Sequence, residues 1–114
     1  RLYREYLGVE VPNDREGCLQ DSHWSGGSFG YFPSYALGNA YGAQMLRRME
    51  QAFDVFGQVA KGDLSGVTGW LREHVHQYGQ LLEPADVVRN ACGTLDPQVY
   101  LDYLTQKYTE LYAL

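Results

Sequence analysis

Residues 17–35 read GCLQDSHWSGGSFGYFPSY. Gln20, Asp21, His23, Trp24, Ser25, Tyr31 and Tyr35 stand among Gly17, Gly26, Gly27 and Gly30, with Gly38 just beyond. Glycine accepts positive φ and lets backbone approach backbone or ligand closely, so this run reads as a tightly shaped loop and not as a solvated linker. Two readings of the loop are open. In one it is a hydrophobic plug of Trp and Phe rings, with Gln20 and Asp21 satisfying backbone groups and His23 a hydrogen-bonded core side chain. In the other it is held in its shape for a function of its polar groups. Carboxamide, carboxylate, imidazole and phenol crowded into one short span favour the second, because a plug needs only one or two polar anchors.

On either side of the loop the pattern is helical. Upstream, Leu2, Tyr3, Tyr6 and Leu7 have helical spacing and Gly8 is a stop, so residues 1–8 are expected to be the end of a helix. Residues 9–33 are expected to form the loop, extended at Val11 before Pro12 and turning at Asn13, Asp14 and Gly17. Downstream, residues 34–114 read as helices throughout. Leu37, Tyr41, Met45, Met49, Phe53, Phe56 and Ala60 recur every three or four residues, which predicts one long helix from Ser34 to about Ala60. Gly38 and Gly42 within it share a face, and close packing of another element there is the expected compensation for their helix cost.

Gly62 closes that helix, and Asp63 is placed to cap the next, whose stripe of Val67, Trp70, Leu71, His74, Val75 and Tyr78 ends at Gly79. Pro84 opens a short helix that runs to Gly93, and Asp96 with Pro97 opens the last. Tyr100, Leu101, Leu104, Tyr108, Leu111 and Tyr112 form its stripe. No alternating strand pattern, internal repeat or low-complexity segment is present. The expected class is all-α: four to five helices preceded by a Gly-rich irregular loop.

Composition narrows the function. The 114 residues are 45% hydrophobic and 20% charged, an ordinary globular balance. Net charge is −5 and the basic residues are scattered, which argues against nucleic acid. No apolar run approaches the ~20 residues of a membrane helix. Cys18 and Cys92 lie in unlike contexts without CxxC pairing and read as reduced thiols of a cytoplasmic protein, although one disulfide remains open. His74 and His76 form HVH, and residues two apart on a helix face different ways, so they do not make a metal pair. No trio of ligands stands at a recognisable zinc spacing. The chain starts at Arg1 in mid-pattern, which suggests a natural start upstream.

The run Gly17-Cys18-Leu19-Gln20-Asp21-Ser22-His23-Trp24 resembles the GxxQDxHW signature of the carboxypeptidase Taq family of thermostable zinc metallocarboxypeptidases, at every fixed position. Ser25, Gly26, Phe29 to Pro33, Tyr35 and Leu37 to Asn39 resemble the continuation. Leu101, Tyr103, Leu104, Lys107, Tyr108, Leu111 and Tyr112 are similar to the family's closing helix. The resemblance implies a parent several times longer, all-helical and homodimeric. It would hold zinc through an HExxH helix and a downstream glutamate, none of which occurs here. This chain is then the C-terminal segment of a hydrolase that releases single residues from peptide C-termini. It would bind the remainder of the enzyme, lack the metal ligands, hold no cofactor of its own and be inactive alone.

By the same resemblance Gln20 and His23 are expected as catalytic residues and Asp21, Tyr31 and Tyr35 as substrate-binding ones. His23 would donate to the oxyanion or the peptide, and a tyrosine would donate to the substrate backbone or carboxylate. Asp21 suits orienting His23 or a nearby arginine, since it would repel a substrate carboxylate. Trp24 is expected to fix the orientation of the His23 ring. Two other readings remain. One is a helical interaction module with a tyrosine-rich face, which has no need of GxxQDxHW. The other is a metal-free hydrolase built on Asp21 and His23, with no nucleophile beyond Ser22 or Ser25. An excised segment should also expose apolar surface and self-associate.

Overall fold

A computed structural model describes residues 1–114. It is all-α, with six α-helices, three single 3-10 turns and no strand. The helices are α1 (Leu2–Leu7), α2 (Phe32–Ala52), α3 (Val55–Ala60), α4 (Ser65–His74), α5 (Pro84–Cys92) and α6 (Pro97–Tyr112). The chain divides into two compact units, Arg1–Pro33 and Ser34–Leu114.

In the first unit α1 stops at Gly8, which takes a left-handed φ of 65° and returns its N–H to the Arg4 carbonyl. Two 3-10 turns, Asp14–Glu16 and Cys18–Gln20, then lead into the motif loop. No apolar side chain of this unit is buried. It has no core of its own.

The second unit holds the core: Ala40, Ala43 and Met49 of α2, Val55 of α3, and Val87, Ala91 and Cys92 of α5. Among them sits one buried polar side chain, Gln44, at 5% exposure. Its Nε2 donates to the carbonyls of Thr94 (3.0 Å) and Cys92 (3.4 Å), and its Oε1 accepts from the Asp96 N–H at 2.8 Å. Burial of a carboxamide is tolerable only when both ends are paired. The pairing ties the α5–α6 connection to the middle of α2. α6 then starts as its sequence directs, with Asp96 Oδ1 accepting from the Gln98 N–H at 3.0 Å and Pro97 in the first turn.

Three expectations are corrected. The long helix breaks after Ala52, because Asp54 caps a new one: its Oδ1 accepts from the Gly57 N–H at 2.9 Å. A short carboxylate side chain competes for backbone donors in this way. The Asp54 carboxylate fills the space that a Cβ on Gly57 would need. Next, α4 begins one residue later than its cap suggested, with Asp63 Oδ1 bound to the Ser65 N–H at 2.9 Å, and it ends at His74. His76–Tyr78 form a 3-10 turn closed by Gly79 at φ 50°. Third, Gly38 and Gly42 of α2 meet no close neighbour, and a side chain there would enter open space. α6 buries none of its residues, so its apolar stripe is not core within this chain.

The accessible surface is 9102 Å² for a 12.9 kDa chain. A self-contained monomer of that mass exposes about 6,300 Å², and two separate compact bodies of the two units' sizes about 7,500 Å². The surplus is apolar in part. Leu101, Leu111 and Tyr112 of α6 and Phe56 of α3 are each more than half exposed.

Candidate functional site

The loop that carries the motif is shaped from its first glycine. Asn13 Oδ1 accepts from the Glu16 N–H at 3.1 Å and starts the first 3-10 turn. Gly17 follows in a buried position where a Cβ would lie 2.7 Å from Val11 Cγ1 and 3.3 Å from the Asn13 carbonyl, so only glycine fits. The second turn brings Gln20 back over the first, and its Nε2 donates to the Arg15 carbonyl at 2.6 Å. The Gln20 carboxamide thus buttresses the turn.

Asp21 lies at the end of this turn and binds the next stretch of backbone. Its Oδ1 accepts from the His23 N–H at 3.2 Å, and its Oδ2 from the Trp24 N–H at 3.5 Å. This is an Asx-turn, the local bond that a short carboxylate makes two residues on. The same Oδ1 lies 2.6 Å from His23 Nδ1. With a carboxylate opposite it, Nδ1 must carry the proton. The hydrogen bond from the His23 ring is the main reason that the Asp21 carboxyl is held below its ordinary value; partial burial opposes it, and the two backbone donors reinforce it. Both side chains are about a quarter exposed.

The loop then turns back on itself. Gly26 N–H bonds to the Ser22 carbonyl (3.0 Å), Gly27 N–H to Trp24 (3.1 Å), and Ser28 N–H to His23 (2.7 Å). Gly27 at φ 80° and Gly30 at φ 72° make the reversals. As a result Tyr31 and Phe32 arrive beside His23. The Tyr31 ring stacks on the imidazole with centroids 5.5 Å apart at 24°, and Phe32 leans on it at 4.6 Å and 59°. Trp24 was expected to set the imidazole's orientation; it pairs instead with Phe29, centroids 5.8 Å apart. Phe32 is the residue that sequence reasoning missed. Its signal was the reversal glycines, which shorten the path between positions 23 and 32.

The structure therefore brings Asp21, His23 and Tyr31 together, and directs the Gln20 amide to Arg15. Tyr35 lies in the first turn of α2, more than half exposed. The imidazole, oriented by a carboxylate and flanked by rings, can hold a proton and pass it through Nε2, the nitrogen that Asp21 does not engage. No three His, Cys, Asp or Glu side chains converge as metal ligands would. Cys18 is exposed, Cys92 is buried, and they are not paired. No helix is long and apolar enough to cross a membrane.

The loop lies within a stretch that matches a known family. The profile of the carboxypeptidase Taq (M32) metallopeptidases matches residues 1–108. The chain belongs to this family. It is 43% identical over 114 residues to carboxypeptidase 1 of Bacillus subtilis, covering 98% of this chain and 23% of the relative. It is 37% identical to thermostable carboxypeptidase 1 of Thermus thermophilus over 97% of this chain and 22% of the relative. The solved M32 carboxypeptidase of Deinococcus radiodurans R1 superposes with a TM-score of 0.87 at 37% identity, over 98% of this chain and 23% of that one. The chain thus spans about a quarter of the length of the relatives it matches. M32 membership implies a metal in the enzyme as a whole, and the donor sets of this segment do not fit one.

Proposed function

We propose that this chain is a C-terminal portion of a zinc-dependent metallocarboxypeptidase that releases single residues from peptide C-termini. The motif loop supplies one wall of the substrate cleft. The Asp21–His23 pair, its imidazole in contact with the Tyr31 and Phe32 rings, carries this reading. An imidazole whose tautomer is fixed by a carboxylate and whose ring touches two others is held ready for proton transfer, which supports the catalytic reading. His23 acts as the proton-holding or hydrogen-bonding catalytic group, through Nε2 toward the oxyanion or the scissile peptide. Asp21 sets the tautomer and supports the imidazolium when it forms. Tyr31 or Tyr35 donates a phenol hydrogen to the substrate backbone or its terminal carboxylate. Gln20 holds the turn that presents Asp21, a positioning role more consistent with its bond to Arg15 than direct catalysis.

Zinc is held by residues outside this chain, so the segment alone is inactive. The free thiols suit a reducing cytoplasmic setting, and the exposed apolar surface suits burial against the rest of a homodimeric enzyme. The test is His23→Ala in the full-length enzyme. Turnover of a peptide should fall about 10²-fold or more, the scale of a lost acid–base or oxyanion group, while metal content stays unchanged. Undiminished turnover would remove His23 from the chemistry.

A further inference from the structure

The side chain of Phe32 has no polar atom, so what it does beside the motif it does by packing. Its ring centroid lies 4.6 Å from that of His23 with the planes at 59°, closer than the Tyr31 ring at 5.5 Å. A tilted approach at this separation is a favoured arrangement of two rings. The backbone that carries the ring is restrained, since Phe32 is the first residue of α2 and is followed by Pro33, whose φ is fixed.

Asp21 alone does not fix the imidazole. Its bond to Nδ1, at 2.6 Å, sets a distance and a direction at one nitrogen. The tilt of the ring, and with it the aim of Nε2, is left to whatever packs against the ring. Asp21 also bonds to the His23 and Trp24 N–H groups, two and three residues along, so carboxylate and imidazole belong to one short piece of chain and can swing together. Phe32 reaches the imidazole from beyond the reversals at Gly27 and Gly30 and ties that piece to a separate part of the backbone. We propose that Phe32 is a positioning residue of the peptide-trimming reaction, its ring setting the plane of the His23 imidazole and so the direction of Nε2. This rests on the catalytic reading of His23 and adds a residue that acts through the imidazole and not on the peptide itself.

Steady-state kinetics of the full-length protein test it, with metal content measured on every sample. The variants are Phe32→Leu, Phe32→Met, Phe32→Tyr, His23→Ala and His23→Ala combined with Phe32→Leu. Phe32→Leu should lower kcat about tenfold at unchanged KM and metal content, the scale of a small misplacement of a reacting group. Phe32→Met keeps the bulk without a flat ring and should fall as far, so the result does not hang on the folding of one variant. Phe32→Tyr keeps the ring and should recover most of kcat. Because Phe32 works through His23, the double variant should be no slower than His23→Ala alone. A further fall in the double variant would overturn the proposal, as would a Phe32→Tyr enzyme as slow as Phe32→Leu. Wild-type kcat in Phe32→Leu and Phe32→Met beside a slowed His23→Ala would overturn this inference alone, whereas wild-type kcat in His23→Ala would overturn the catalytic reading with it.

Discussion

Replacing Gln44 by Met tests how the second unit is held together. Met matches Gln in length and helix propensity, so α2 itself is undisturbed. It cannot pair with Thr94 or Asp96. Two good hydrogen bonds are lost, at 3.0 and 2.8 Å, together with a long one to Cys92 at 3.4 Å. Neutral bonds contribute about 1 kcal/mol each. Thr94 and Asp96 are exposed residues whose backbone groups can turn to water, so the full penalty for a buried orphan does not apply. The loss is therefore about 2 kcal/mol, concentrated on the α5–α6 connection. Since 1.4 kcal/mol is tenfold, amide exchange at Asp96 should accelerate roughly 30-fold. Exchange read residue by residue, with α4 amides as the internal control, measures it. An unchanged Asp96 rate would refute the view that Gln44 fastens this turn, and an equal acceleration in α4 would show a global loss instead.

Other substitutions read other parts of the structure. Gly17→Ala pushes a methyl group against Val11 and the Asn13 carbonyl, and should destabilise the loop by about 1–3 kcal/mol, seen as faster exchange over residues 13–24; exchange as in the parent would mean that the turn has room. Asp21 should titrate below the usual carboxylate value of about 4, as followed by carboxyl NMR, and move back toward it in His23→Ala. Because the folded value is the lower one, the pair's contribution to stability is complete above about pH 4 and disappears as pH falls through the lowered value. A midpoint indifferent to His23→Ala would contradict the pairing. With a thiol reagent at neutral pH, Cys18 should label quickly and Cys92 slowly, because burial both hides the Cys92 thiol and raises its pKa, with Arg48 opposing weakly. Equal rates would place Cys92 at the surface.

Helix class and most helix starts were legible because they depend on local chemistry. Asp96 before Pro97, Pro84, and Gly8 at a left-handed stop each act within one turn of chain. The Asp54 break was less legible: Phe53 and Phe56 keep the apolar period across it, and the cap is visible only if Gly57 is read as space for a carboxylate. Periodicity also overran α4 into His76–Tyr78, since a 3-10 turn keeps nearly the same spacing. The α6 stripe was read correctly as a helix face, yet periodicity states only that a face is to be buried, not against what. At the site, the motif gave Asp21 and His23 together. The ring partners were not legible, because they depend on the reversals at Gly27 and Gly30, which bring Phe32 to the imidazole and carry Trp24 to Phe29.

The account turns on His23 as a working group of a peptide-trimming enzyme. Steady-state kinetics of full-length wild type, His23→Ala and Asp21→Asn, with metal content measured on the same samples, tests it most directly. The expected result is a fall of about 10²-fold or more in kcat for His23→Ala, a smaller fall with an altered pH profile for Asp21→Asn, and unchanged metal in both. Wild-type kcat in His23→Ala at full metal loading would contradict it.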